Sequence, residues 1–134
     1  MKRRITILIA FLLILAMITP MRNANASEIY PRWTHIHSMT AGLDISFLGV
    51  ATCNGQFTAY ENVPVEIIMH LKQLKNGSWG TLKTWSITGT CALNIEKQYA
   101  VEHGYTYKVV VTGYVYDSNG NILETASASK SFVF

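Results

Sequence analysis

The stretch that decides the fold is GYTYKVVVTGYVYDSNGN, residues 104–121. Apolar and aromatic side chains alternate here with smaller or polar ones and are followed by turn-forming residues at 117–120. That pattern predicts a β-strand and then a tight reversal of the chain. Tyr105 and Tyr107 fall on the same face as the alternate valines that follow them, which predicts a face directed into a core.

The second tyrosine pair in this stretch is placed differently. Tyr114 and Tyr116 fall on the parity opposite to Tyr107. A glycine inside a strand often marks a bulge, and a bulge at Gly113 resets the alternation and buries both rings. Without a bulge, the rings stand outward beside one another as an exposed aromatic strip. The sequence leaves both arrangements open.

The rest of the chain shows the same period-two alternation, and no segment has a helical period. Asn76-Gly77 is a strong hairpin signal, because both residues tolerate a positive φ. Strands of this length bury an apolar face only when two sheets pack together, so we predict an all-β fold with seven antiparallel strands in a β-sandwich. The predicted strands cover residues 34–46, 50–60, 65–74, 79–87, 90–99, 104–116 and 122–134.

The first residues have the order of a secretory signal peptide. Basic side chains at positions 2–4 precede an apolar run over residues 5–18, and Ala24-Asn25-Ala26 supplies a small-x-small cleavage site. The run is short for a bilayer span, although an uncleaved anchor is the alternative. We expect a signal peptide over residues 1–26, a single β-sandwich domain over residues 27–134, and a secreted product with no stable membrane anchor.

Removal of the leader changes the charge of the chain. The full sequence has a net charge of +3, but four of its basic residues lie within the leader. The remainder keeps seven basic and eight acidic side chains, a net charge of −1, and its one arginine is Arg32. Binding to nucleic acid requires clustered basic side chains, so we do not expect a nucleic-acid partner.

Residues 101–111 resemble the entry to the sixth strand in fibronectin type III and related immunoglobulin-like domains. Tyr107 matches the corner tyrosine of that motif and Val101 the apolar residue before its turn. His103 stands where the family often has proline, and Val109 replaces the second cysteine of antibody domains. The resemblance implies an immunoglobulin-like, fibronectin type III-like β-sandwich in which the Tyr107 hydroxyl bonds to nearby backbone.

Cys53 and Cys91 both have inward parity in strands that are neighbours in an immunoglobulin-like sheet. An even number of cysteines in a secreted chain favours a disulfide. We therefore expect Cys53 and Cys91 to be bonded, the alternative being two small buried thiols that act as hydrophobic side chains.

His35 and His37 form a His-x-His pair on an extended segment, which directs both imidazoles to one side. Two such ligands can share a metal ion, but a zinc site needs about four. His70 or His103 can add a ligand, although no spacing requires it. The alternative is a pair of surface histidines at the start of a strand.

Four aromatic residues are candidates for a binding surface: Trp33, Trp79, Tyr114 and Tyr116. Aromatic rings give a large contact area at low entropic cost, so they suit stacking on sugars or docking of peptides. The alternative is packing in the core and turns, for which Trp85 is the strongest candidate.

No nucleophile motif or inward acid pair indicates an enzyme. The chain also resembles a group of small secreted proteins from Gram-positive bacteria, through YPRWTHI at residues 30–36 and the stretch at 104–121. We predict a secreted, non-catalytic immunoglobulin-like module, without a cofactor, that presents a binding surface to an extracellular protein or glycan. The alternative function is metal binding through His35 and His37.

Overall fold

A computed structural model of the chain describes residues 32–134, and Arg32–Phe134 form one compact unit. The predicted signal peptide, residues 1–26, and its cleavage site lie outside these residues. Within residues 32–134, no helix is long and apolar enough to cross a membrane.

Seven antiparallel strands form two sheets, which confirms the prediction of an all-β sandwich. The three-stranded sheet has the order β1-β2-β5 and the four-stranded sheet the order β4-β3-β6-β7. The strands are β1 (Ile36–Ile45), β2 (Val50–Ala59), β3 (Pro64–Lys75), β4 (Ser78–Thr90), β5 (Ala92–Ala100), β6 (Thr106–Tyr116) and β7 (Ile122–Val133).

The hairpin between β3 and β4 turns at Asn76 and Gly77, as the sequence predicts. Their φ angles are 52° and 76°, and Lys75 lies opposite Ser78. Positive φ at both central residues is the requirement of a two-residue type I′ turn, whose twist matches that of the flanking strands. These two residues therefore set the register of β3 and β4 next to the turn, as far as Lys72 and Thr81, beyond which the register shifts.

The core lies between the two sheets and consists of the inward side chains of both. Tyr107 and Phe57 are its largest fully buried members, and Val109 and Val111 follow Tyr107 along β6 at alternate positions. Burying one such side chain stabilises the fold by about 1.5–3 kcal/mol relative to leaving it exposed. The alternation in the opening stretch therefore supplies a large part of the core.

β6 keeps a regular alternation through Gly113, so Tyr114 and Tyr116 are directed away from the core. Gly113 is buried because the Phe57 ring of the opposite sheet packs on its backbone; an added Cβ would lie 2.6 Å from Phe57 Cε2. The register irregularity of the β6–β7 pair falls later, where Val115 lies opposite Glu124 and Tyr116 opposite Ile122. Gly113 thus allows close packing of the sheets and does not form a bulge.

The expected disulfide between Cys53 and Cys91 is wrong, because both thiols are free. β2 and β5 are neighbours, but Cys53 lies opposite Lys97. Cys91 lies between β4 and β5 at a φ of 65°, and its carbonyl accepts a 2.7 Å hydrogen bond from the Ala59 N–H. Ala59 is six residues from Cys53 on β2, about 20 Å along the strand. A disulfide requires Cα atoms within about 7 Å of one another.

Candidate binding surface

The candidate surface is the outer face of the four-stranded sheet. Its members alternate with core residues along β3 and β6, and directly opposed residues of neighbouring strands share a face. We define the outer face by these residues: Trp79, Thr81, Thr84, Ser86 and Thr88 of β4; Glu66, Ile68, His70, Lys72 and Leu74 of β3; Lys108, Val110, Thr112, Tyr114 and Tyr116 of β6; and Thr125, Ser127, Ser129 and Ser131 of β7.

One end of the outer face is aromatic and acidic. The rings of Tyr114 and Tyr116 are stacked with centroids 6.3 Å apart and an interplanar angle of 27°. Tyr114 lies opposite Glu66 on β3. The Tyr116 hydroxyl donates a 2.6 Å hydrogen bond to Glu66 Oε2. We call this group the tyrosine end.

The Glu66 carboxylate controls the ionisation of Tyr116. The hydrogen bond to Glu66, then partial burial, then the negative charge of Glu66 raise the pKa of Tyr116 to about 12. The phenol is protonated at neutral pH and donates its hydrogen bond to the Glu66 carboxylate. Because Tyr116 and Glu66 lie on neighbouring strands of one sheet, this hydrogen bond fixes the orientation of the Tyr116 ring.

The other end of the outer face is aromatic and basic. Lys108 Nζ lies 4.2 Å from the centroid of the Trp79 ring, which is within the range of a cation–π contact. Lys72 lies directly opposite Lys108 on the neighbouring strand. Trp79 is 38% exposed and lies opposite Leu74. We call this group the tryptophan end.

The structure separates the four aromatic residues that the sequence suggests for one surface. Tyr114 lies opposite Glu66 and Trp79 opposite Leu74. Glu66 and Leu74 are eight residues apart on β3, a distance of about 27 Å. Trp33 is not part of the outer face, because it packs against the core. Of the four candidates, the structure brings only Tyr114 and Tyr116 into contact.

Glu124 is a residue whose role the sequence did not indicate. Its carboxylate accepts hydrogen bonds from the backbone N–H groups of Thr34, His35 and Ile36, at 2.8, 2.7 and 2.8 Å. Burial on its own raises the pKa of Glu124, but the three donors outweigh burial and the pKa lies below its ordinary value. Glu124 thereby attaches the start of β1, in one sheet, to β7 in the other.

The histidines do not form a group of metal ligands. The β1–β2 register shifts between Ile36 and Ser38, so the regular alternation that would direct His35 and His37 to one side is interrupted. His35 Nδ1 lies 3.9 Å from Glu61 Oε2, and the His37 ring meets Tyr60 edge to face.

The remaining histidines have other neighbours. His70 bonds to Thr84 at 2.8 Å, and the His103 ring stacks on Phe134 with centroids 3.8 Å apart. Across residues 32–134, no three histidine, cysteine or acidic side chains are close enough to hold a metal ion. Within these residues His35 and His37 are not joined by a third ligand, and the metal-binding alternative stays a prediction.

A cleft of about 270 Å³ opens near the end of β3, and Gln73, Tyr99 and Tyr107 contribute to its lining. The Tyr107 hydroxyl donates to the Glu102 carbonyl at 2.7 Å and accepts from the Glu102 N–H at 3.0 Å. It also accepts from Gln73 Nε2 at 3.2 Å. These contacts hold the loop before β6 against the core, so the Tyr107 hydroxyl and the Gln73 amide serve the fold.

Comparisons with known proteins assign no family to the chain, since no family model and no curated protein matches it. Among solved structures, an alkylpurine DNA glycosylase, AlkC, of Pseudomonas fluorescens matches with 17% identity and a TM-score of 0.34. The match covers 71% of this chain but 29% of the glycosylase. A protein from Archaeoglobus fulgidus matches with 9% identity and a TM-score of 0.35, covering 74% of this chain and 97% of that protein.

Proposed function

We propose that the chain is a secreted, non-catalytic, fibronectin type III-like module that binds an extracellular glycan through the outer face. Two features support the fold assignment: β4 pairs with β3, unlike the fourth strand of antibody constant domains, and Tyr107 makes the local backbone contacts of a tyrosine corner. The proposal includes secretion, which the predicted signal peptide over residues 1–26 supports, and it includes the resemblance to small secreted proteins of Gram-positive bacteria.

The observation that carries the proposed function is the tyrosine end. Tyr114 and Tyr116 lie side by side on the outer face, and Glu66 fixes the orientation of Tyr116. Aromatic rings bind the apolar faces of sugars, and a carboxylate beside them accepts hydrogen bonds from sugar hydroxyls. A preoriented ring also loses less conformational entropy when a ligand binds.

The surroundings of the tyrosine end favour a glycan over a protein. The outer face is rich in short hydroxyl side chains, including Thr88, Thr112, Thr125 and Ser127. Serine is depleted in the central part of protein–protein interfaces, where large apolar and arginine side chains are enriched. Hydroxyl groups suit a hydrated ligand that donates and accepts many hydrogen bonds.

Glycan binding by single-residue variants tests this proposal. Tyr114→Ala and Tyr116→Ala are each expected to weaken binding to a glycan identified on an array by at least about tenfold. Tyr60→Ala is the matched control, because Tyr60 is 62% exposed and lies outside the outer face. Glycan binding that is equally strong in both outer-face variants, or binding to proteins alone, would contradict the proposal.

A further inference from the structure

We propose that the tryptophan end is a subsite for a negatively charged group, which makes the ligand an acidic glycan. The inference deepens the proposed function and rests on it for the glycan part of the ligand. The group in question is the carboxylate of a sugar acid or a sulfate ester, since both are anionic oxygen acceptors on a glycan chain.

The central observation is that Lys72 and Lys108 lie directly opposite one another on β3 and β6. Side chains in this relationship have Cβ atoms about 5 Å apart, and like charges in it repel. Between residues 32 and 134, no acidic side chain lies within 4 Å of the ammonium group of either lysine. An anion that bridges Lys72 and Lys108 would remove this repulsion.

Trp79 adds a second reason to place a ligand at this end. Its ring holds the Lys108 ammonium at 4.2 Å, which limits the motion of a side chain that is otherwise flexible. The ring is still 38% exposed. The tryptophan end therefore combines a positioned cation, a second cation and exposed aromatic surface, a combination that suits an acidic sugar.

The charges of the four-stranded sheet also give the ligand a direction. Its acidic residues, Glu66 and Glu124, lie towards the tyrosine end, whereas the two lysines of the outer face, Lys72 and Lys108, lie towards the tryptophan end. An anionic group is repelled from the first end and attracted to the second. We therefore place the acidic group of the glycan on Lys72 and Lys108.

Binding assays with three polysaccharides test the inference: heparin as the sulfated probe, polygalacturonate as the carboxylated probe and dextran as the neutral one. The double variant Lys72→Gln/Lys108→Gln is expected to weaken binding of at least one acidic probe by about tenfold or more. Binding to that probe is also expected to fall as salt rises, with a smaller salt slope in the double variant. Binding to dextran or another neutral glycan should not change.

The control is Lys97→Gln/Lys130→Gln, which changes the net charge equally. Lys97 lies on the three-stranded sheet, and Lys130 lies opposite the inward-facing Val109. An equal loss of binding in this control would mean that net charge alone attracts the probe, and would overturn the subsite. Thermal unfolding of Lys72→Gln separates binding from folding: Tm is expected to stay constant or rise, because the variant removes a repulsion.

The outcomes separate this inference from the proposed function. Loss of acidic-probe binding in the lysine variant, together with unchanged binding in Tyr114→Ala, supports the subsite and rejects the tyrosine end. Neutral-glycan binding that depends on Tyr114 but not on the lysines supports the proposed function and rejects the subsite. If duplex DNA binds as tightly as the acidic glycans and is lost in the same variant, the glycan assignment is overturned.

Discussion

Tyr116 and Glu66 form a hydrogen-bonded pair across neighbouring strands, with the Tyr116 hydroxyl 2.6 Å from Glu66 Oε2. The pair joins a ring that can contact a ligand to a carboxylate that orients it. Because the Glu66 carboxylate accepts a hydrogen bond from the phenol and adds negative charge, the neutral form of Tyr116 is favoured and its pKa is raised to about 12. The stabilisation from this pair is present below pH 10, the ordinary tyrosine pKa, and fades as the pH rises through about 12.

The first prediction concerns this ionisation. In Glu66→Gln, Tyr116 is expected to ionise at a lower pH than in the wild type, because the charged acceptor is lost. Ultraviolet absorbance during an alkaline titration measures the change, and the difference from a Tyr116→Phe variant assigns it to Tyr116. A titration curve unaffected by Glu66→Gln would show that the carboxylate does not govern Tyr116.

The second prediction concerns Glu124 and acid stability. Its folded-state pKa is lower than the ordinary value of 4.5, so its contribution to stability is full above pH 4.5 and is lost as the pH falls through the folded value. Glu124→Ala is expected to cost about 1–3 kcal/mol at pH 7, because three backbone N–H groups lose their acceptor.

Urea unfolding from pH 7 to pH 2.5 measures this contribution. The difference in the free energy of unfolding between the wild type and Glu124→Ala should become smaller at low pH, where the wild-type carboxyl is protonated. Glu96→Ala, at an exposed position of β5, is the control and should unfold like the wild type at every pH. A difference that stays the same at every pH would mean that the ionised Glu124 carboxylate is not the source of the stabilisation.

The third prediction concerns the contact between Gly113 and Phe57. Gly113→Ala is expected to destabilise the fold by about 1–3 kcal/mol, because the new Cβ would overlap the Phe57 ring in a packed core. Gly80→Ala is the matched control, since an added Cβ there meets no atom within 4 Å. Thermal or urea unfolding of the two variants measures the difference, and equal stabilities would mean that the two sheets are not closely packed at Gly113.

Local patterns in the sequence were sufficient to predict the strands, the Asn76-Gly77 hairpin and the inward face of β6. These features depend on residues close in sequence, through side-chain alternation and the φ angles that turn residues tolerate. The sequence also indicated that Tyr114 and Tyr116 belong together, because alternate residues of one strand are neighbours. What it left open was whether Gly113 forms a bulge or accepts a ring from the opposite sheet.

Features that depend on register between distant strands were not predictable. Pairing of β2 with β5 was expected, yet the register places Cys53 opposite Lys97. Cys91 instead lies beside Ala59, which is six residues from Cys53 along β2. The register also brings Lys72 opposite Lys108, two residues far apart in sequence. The role of Glu124 depends on hydrogen bonds between β7 in one sheet and the start of β1 in the other, so no local sequence pattern predicts it.

The fourth prediction concerns the Tyr107 hydroxyl. Tyr107→Phe is expected to lower stability by about 1–3 kcal/mol, because the ring stays buried while the Glu102 backbone loses both of its partners. Tyr105→Phe is the control: its half-buried ring lies two residues earlier, and within residues 32–134 its hydroxyl has no protein partner. Similar unfolding midpoints for the two variants would mean that the corner contact is not stabilising.

The last prediction concerns the two cysteines. Without reductant, the unfolded protein is expected to react with two equivalents of a thiol reagent, since Cys53 and Cys91 are both free. In the folded protein Cys53 should react slowly, because burial shields its thiol and raises its pKa to about 11, and the thiolate is the reactive form. Cys91 is half-buried and should react first, so Cys91→Ser should remove the fast phase and Cys53→Ser the slow one. The unfolding temperatures with and without dithiothreitol should agree. A Tm that is lower with the reductant would indicate that Cys53 and Cys91 form a disulfide after all.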